Sequence, residues 1–97
     1  MTDRDAIDVI GAARSDGSSL VVIPVQRLTD DFLRLSTRIA GNFIQKFVTY
    51  GVRLALVGDI SQQSSESRAL RDFVYECNRG SQVWFVADLE DLERKLK

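Results

Sequence analysis

The chain predicts an α/β domain in which a small parallel three-stranded sheet alternates with helices in the order α-β-α-β-α-β-α. Three observations lead there. Short apolar runs at Leu20–Ile23, Val52–Val57 and Val83–Ala87 are rich in β-branched and aromatic residues and are followed by turn-forming residues, as buried strands are. The segments between them carry apolar residues at helical spacing and are long enough for crossovers, which favours parallel pairing with right-handed connections. The chain has 97 residues, 44% hydrophobic and 28% charged, and is therefore expected to fold as one domain, residues 1–97, rather than as two domains or a disordered segment.

Residues 3 to 14 place Ala6, Val9, Ile10 and Ala13 on one stripe of a first helix, with Thr2 as its N-cap and Asp5 three positions later. Ser15-Asp16-Gly17-Ser18-Ser19 is a turn by composition. The strand Leu20–Ile23 stops at Pro24, which has no N–H to give to a ladder. Thr29-Asp30-Asp31 is expected to cap a helix carrying Phe32 and Leu35 in its first turn, with a second start, and a kink or break, at Ser36. From Ile39 to Val48 the pairs Ile39/Ala40, Phe43/Ile44 and Phe47/Val48 form a wide amphipathic stripe that Gly51 terminates.

After the strand Val52–Val57, the polar stretch Ser61-Gln62-Gln63-Ser64-Ser65 leads into a third helix with Ala69, Leu70, Phe73, Val74 and Cys77 inward and Gly80 at its end. Asp88 caps a last helix whose buried edge is Leu89, Leu92 and Leu96. Its outer face carries Glu90/Arg94, Asp91/Lys95 and Glu93/Lys97 at i,i+4 spacing. All three strands are apolar on both faces, so both sheet faces need cover, while the first and last strands leave open edges; a homodimer is the economical remedy.

The inventory excludes much chemistry. There is no histidine and one cysteine, which removes His-based triads, His metal sites, Cys-His dyads and structural zinc within one chain. No metal site and no cofactor is expected. Thirteen basic against fourteen acidic residues give a net charge of −1, which argues against nucleic acid and anionic membranes as partners. The start Met1-Thr2-Asp3-Arg4-Asp5 lacks a signal-peptide pattern, and no apolar run approaches the roughly 18 residues of a membrane span, so a cytoplasmic location is expected. Cys77 reads as a small buried hydrophobe rather than a nucleophile.

Ligands of open α/β sheets sit outside the carboxyl edge of the strands. The loops there offer Thr29, Asp59, Ser64 and Ser65 as candidate ligand-binding residues for a small molecule or anion. GxGxxG and GxxxxGK[ST] are both absent. A receiver-like phosphoacceptor needs clustered aspartates and a lysine after the last strand; Asp59 and Asp88 stand at strand ends, but the first lysine after that strand is Lys95. Strand termination or turn capping is the simpler role for Asp59, and helix capping the simpler role for Ser64 and Ser65. No catalytic constellation emerges.

Several blocks in order carry a resemblance over most of the chain: Phe32-Leu33-Arg34-Leu35-Ser36-Thr37-Arg38-Ile39-Ala40-Gly41, Gln45-Lys46-Phe47, Leu54-Ala55-Leu56-Val57-Gly58-Asp59, the run from Leu70 to Gly80, and Gln82 to Val86. Together they resemble the bacterial family called domain of unknown function 4180. Members of that family usually begin with an additional pair of strands, so the resemblance implies a chain expected to lack that pair. On that reading the strand at Leu20–Ile23 is left as an open edge, which favours a dimer; a misplaced start site or trimming is the competing explanation.

The family layout is similar to the STAS domains of anti-sigma-factor antagonists, which carry a phosphorylatable serine in an Asp-Ser-Ser-Gly type motif at a helix start. Leu35-Ser36-Thr37-Arg38 falls near that place, with Leu35 for the acidic residue and Arg38 for glycine. The resemblance implies a non-enzymatic STAS-like regulatory or protein-interaction module, with Ser36 or Thr37 as phosphoacceptor and an unidentified protein partner. A plain capping role for both residues is the alternative. A small-molecule or anion site at the carboxyl edge is the second functional reading.

Overall fold

The computed structural model describes residues 5–96. Five helices and three strands follow one another as α1 (Asp5–Ser15), β1 (Leu20–Pro24), α2 (Ile39–Tyr50), β2 (Arg53–Val57), α3 (Ser61–Glu66), α4 (Arg68–Arg79), β3 (Val83–Val86) and α5 (Leu89–Leu96). The sheet is fully parallel with β2 in the centre, and Val22, Ala55 and Trp84 lie in register across it. The α/β class and the small three-stranded parallel sheet are thus as the sequence predicts. Thr2 and Lys97, expected in a cap and an ion pair, lie outside the described residues.

The alternation of the strands divides the core in two. Ile23, Leu54, Leu56, Val83 and Phe85 face one side, where they pack with Ala6, Ile10 and Ala13 of α1, with Ala40, Phe43, Ile44 and Phe47 of α2, and with Phe73, Val74 and Cys77 of α4. Ala55, Trp84 and Val86 face the other side, against Leu92 of α5. This second layer is thin: α5 packs on β2 and β3, and Val22 on β1 stays 42% exposed. The Trp84 indole N–H donates to the Gly80 carbonyl at 2.8 Å, and the cations of Arg53 and Lys95 lie 5.9 and 5.6 Å from its ring centroid.

Three expectations are corrected. The segment after β1 forms no α-helix at Thr29; it runs through 3-10 turns at Val25–Arg27, Asp30–Leu33 and Leu35–Thr37, and α2 starts at Ile39. Phe32 explains the path. It is fully buried and meets Phe43 edge-on, with ring centroids 5.4 Å apart, a burial that contributes roughly 2 kcal/mol. The third helix is two helices, because Ser61–Glu66 is itself helical and the break falls at Ser67, whose side chain accepts the Leu70 N–H at 3.1 Å; the cap of α4 is therefore Ser67, not Ser64 or Ser65. Among the described residues of α5 the ion pair is Asp91–Arg94 at i,i+3, in place of the expected i,i+4 pairs Glu90/Arg94 and Asp91/Lys95.

Two other local expectations hold, whereas Ala69, Leu89 and Leu96, expected to face inward, are exposed. Gly51 closes α2 with φ of 70°, its own N–H on the Val48 carbonyl and the Val52 N–H on the Phe47 carbonyl, a stop that a side chain there would strain. Asp88 accepts the Asp91 N–H at 2.8 Å and so caps α5.

Candidate functional site

Two segments meet at the carboxyl edge of β1 and β2. The first, from Val25 to Arg38, is tied by its own polar groups. The Thr37 hydroxyl lies 2.8 Å from the Asp31 carbonyl and 2.7 Å from the Arg34 carbonyl, and it accepts the Ile39 N–H at 3.3 Å. Such side-chain bonds compete with a regular helix and favour tight turns. Arg38 then adopts φ of 64°, a left-handed conformation in which the chain swings into α2. The Arg34 guanidinium pairs with the Asp31 carboxylate at 3.7 Å, both well exposed.

The second segment follows β2. Gly58 has φ of 148°, and a Cβ at this position would overlap the Val25 side chain, so the absent side chain lets the two segments pack directly on each other. Asp59 accepts the Ser61 N–H at 2.9 Å, which turns the chain into α3. Hydrogen bonds from the Ser61 hydroxyl and then its N–H hold the Asp59 carboxyl below its ordinary pKa. The Ser65 hydroxyl donates to the Gln62 carbonyl at 2.8 Å within the same short helix.

Between these segments lies a cavity of about 600 Å³. Its walls are apolar, from Val25, Leu28, Leu33, Leu35, Ile60 and Ala69. Its polar lining comes from Thr29, Arg34, Ser36, Gln63, Glu66 and Ser67. Pockets of about 300–1,000 Å³ with an apolar body and a few polar groups are the usual form of small-molecule sites. A smaller cavity of about 200 Å³ lies beside it, with Asp59 and Ser64 in its lining together with Phe85 and Val86.

The residues singled out from sequence are therefore divided. Thr29 and Ser36 share the large cavity, whereas Asp59 and Ser64 share the small one; Ser65 lines neither. Thr37 is turned into backbone bonds of its own loop. Polar residues at the strand ends do not by themselves mark a cavity whose walls are apolar. Leu28 and Ile60, apolar residues just past β1 and β2, were the available signal.

Among the described residues no three His, Cys, Asp or Glu side chains gather to hold a metal ion. Cys77 belongs to the core around Phe85, where burial, and secondarily the Glu76 carboxylate, push its thiol pKa up, opposite to what a nucleophile needs. No helix among the described residues is long and apolar enough to cross a membrane.

Compared with known proteins, the chain matches one family model, described as Domain of unknown function (DUF4180), over residues 1–96. No curated protein and no solved structure matches it.

Proposed function

This chain belongs to the DUF4180 family, and we propose that it is a binding module that holds a small amphipathic molecule in the cavity at the carboxyl edge of β1 and β2. The observation that carries this reading is the 600 Å³ cavity itself, with its apolar walls and its hydroxyl and amide groups at Thr29, Ser36 and Gln63. Titration with hexanol, followed by methyl NMR, is the test. Saturable shifts are expected at Leu28, Leu33 and Ile60 in the native chain. They should be lost in Ala69→Phe, which fills the cavity from an exposed position on α4. No saturable shift in the native chain, or full binding by Ala69→Phe, overturns the reading.

A second reading is a STAS-like contact module regulated at Ser36. It is favoured by the exposure of Ser36 on the cavity lining beside Arg34, while Thr37, already engaged with two carbonyls, is the poorer acceptor. In this reading the open edge of β1, with Val22 exposed, pairs with a second copy. Solution mass at low concentration tests the pairing, and a stable monomer removes it. Ser36→Glu tests the switch, which requires this variant to change capture of a partner.

A further inference from the structure

The charges around the large cavity are not balanced. Arg34 supplies a cation to its lining, but this guanidinium is paired with Asp31 at 3.7 Å. Glu66 supplies an anion, and its carboxylate has no hydrogen-bond or ion-pair partner among the described residues. The start of α4, whose positive end would otherwise attract an anion, has the Ser67 hydroxyl on the Leu70 N–H and the Glu66 carboxylate one residue before it. An incoming negative group would meet the Glu66 carboxylate with no ion-pair partner among the described residues. A positive group would find in Glu66 an uncompensated counter-charge among the described lining residues, with the Gln63 carbonyl and the Ser36 hydroxyl in the same lining as acceptors.

We infer that the ligand of this cavity is an amphipathic cation, a primary or secondary amine on an apolar body, with the amine at Glu66 and the body against Leu28, Leu33 and Ile60. The inference rests on the cavity being a ligand site and adds the sign of the ligand's charge. The ammonium group donates to the carboxylate, whereas an alcohol of the same length gains only the apolar contacts and a neutral hydrogen bond. Because Glu66 is exposed, the preference is moderate and weakens with added salt.

The test compares hexylamine, hexanol and hexanoate by the methyl shifts of Leu28, Leu33 and Ile60 at neutral pH. Hexylamine is expected to bind about fivefold tighter than hexanol, the size of a partly exposed charge pair, and hexanoate the weakest of the three. Glu66→Gln should bring hexylamine to the affinity of hexanol while leaving hexanol binding unchanged. Asp31→Asn, which releases Arg34, should strengthen hexanoate alone. Equal binding of amine and alcohol in the native chain, or tightest binding of hexanoate, overturns the charge assignment and leaves the cavity reading standing. Absence of saturable hexanol binding overturns the cavity reading and with it the charge assignment.

Discussion

The side-chain amide of Asn78 binds both backbone groups of Phe85: its Oδ1 accepts the Phe85 N–H at 2.8 Å and its Nδ2 donates to the Phe85 carbonyl at 3.1 Å. Phe85 lies in the middle of β3, an outer strand of the sheet, so a side chain of α4 does there what a neighbouring strand would do. The open edge expected at the last strand is partly closed in this way. Lys95 of α5 reaches the Asn78 carbonyl at 3.4 Å, which draws helices from both faces of the sheet to the same residue.

Asn78→Ala removes both bonds and leaves two half-buried backbone groups to find water. A destabilisation of about 1–3 kcal/mol is expected in urea unfolding. Amide exchange at Phe85 should accelerate by more than exchange at Leu54 in the central strand. Equal acceleration at both sites would show that the two bonds do not hold this edge.

Gly58→Ala places a Cβ against Val25 at a backbone angle that L-residues avoid. A loss of roughly 2–3 kcal/mol is expected from the combined overlap and strain. Val25→Ala in the same chain should recover the overlap part but not the conformational part. The double variant would then be more stable than the sum of the two single effects predicts.

Arg38 is the non-glycine residue with positive φ among those described, at 64°. Arg38→Gly relieves a left-handed conformation that costs an L-residue about 1–2 kcal/mol, against a larger entropy loss on folding. The net expectation is unchanged or slightly raised stability, by up to about 1 kcal/mol. Thermal unfolding checks it, and a clear destabilisation would mean that the Arg38 side chain makes contacts worth more than the strain.

Cys77 has a raised pKa through burial first and the neighbouring Glu76 carboxylate second. The folded state thus holds the thiol proton more tightly than the unfolded chain does. Its contribution to stability is fully present below the ordinary thiol pKa and is lost as pH rises through the higher native value. Stability curves taken from neutral to alkaline pH should fall more steeply for the native chain than for Cys77→Ala. Alkylation by iodoacetamide at neutral pH should be slow until the protein is unfolded.

Much of the architecture was legible because it depends on local pattern. The apolar runs coincide with β1, β2 and β3 to within a residue at each end. Gly51 and Asp88 are legible as helix punctuation, since their roles are satisfied by groups only a few residues away. The helix expected near Thr29 failed for a different reason. Phe32 and Leu35 satisfy helical spacing, but Phe32 gains more by reaching Phe43 on α2 through a 3-10 turn, and that gain depends on a contact distant in sequence. Similarly, Ser64 and Ser65 are acceptable caps by composition, yet the break falls at Ser67, where Leu70 begins the buried stripe of α4.

The sequence by itself determined the class of the fold, the three parallel strands, the family, and the exclusion of histidine chemistry, since each follows from inventory, periodicity or ordered motifs. Only the tertiary structure decided which polar residues share a space. Thr29 and Ser36 came together in the lining of one cavity, Asp59 and Ser64 in that of another, and Glu66 joined Arg34, itself paired with Asp31, in the lining of the first. Asn78, unremarkable in its helix, became the edge partner of β3. The physical reason is that a strand or cap is fixed by neighbours along the chain, whereas a cavity is the space left between elements. Its lining depends on how closely those elements approach, as Gly58 and Val25 do.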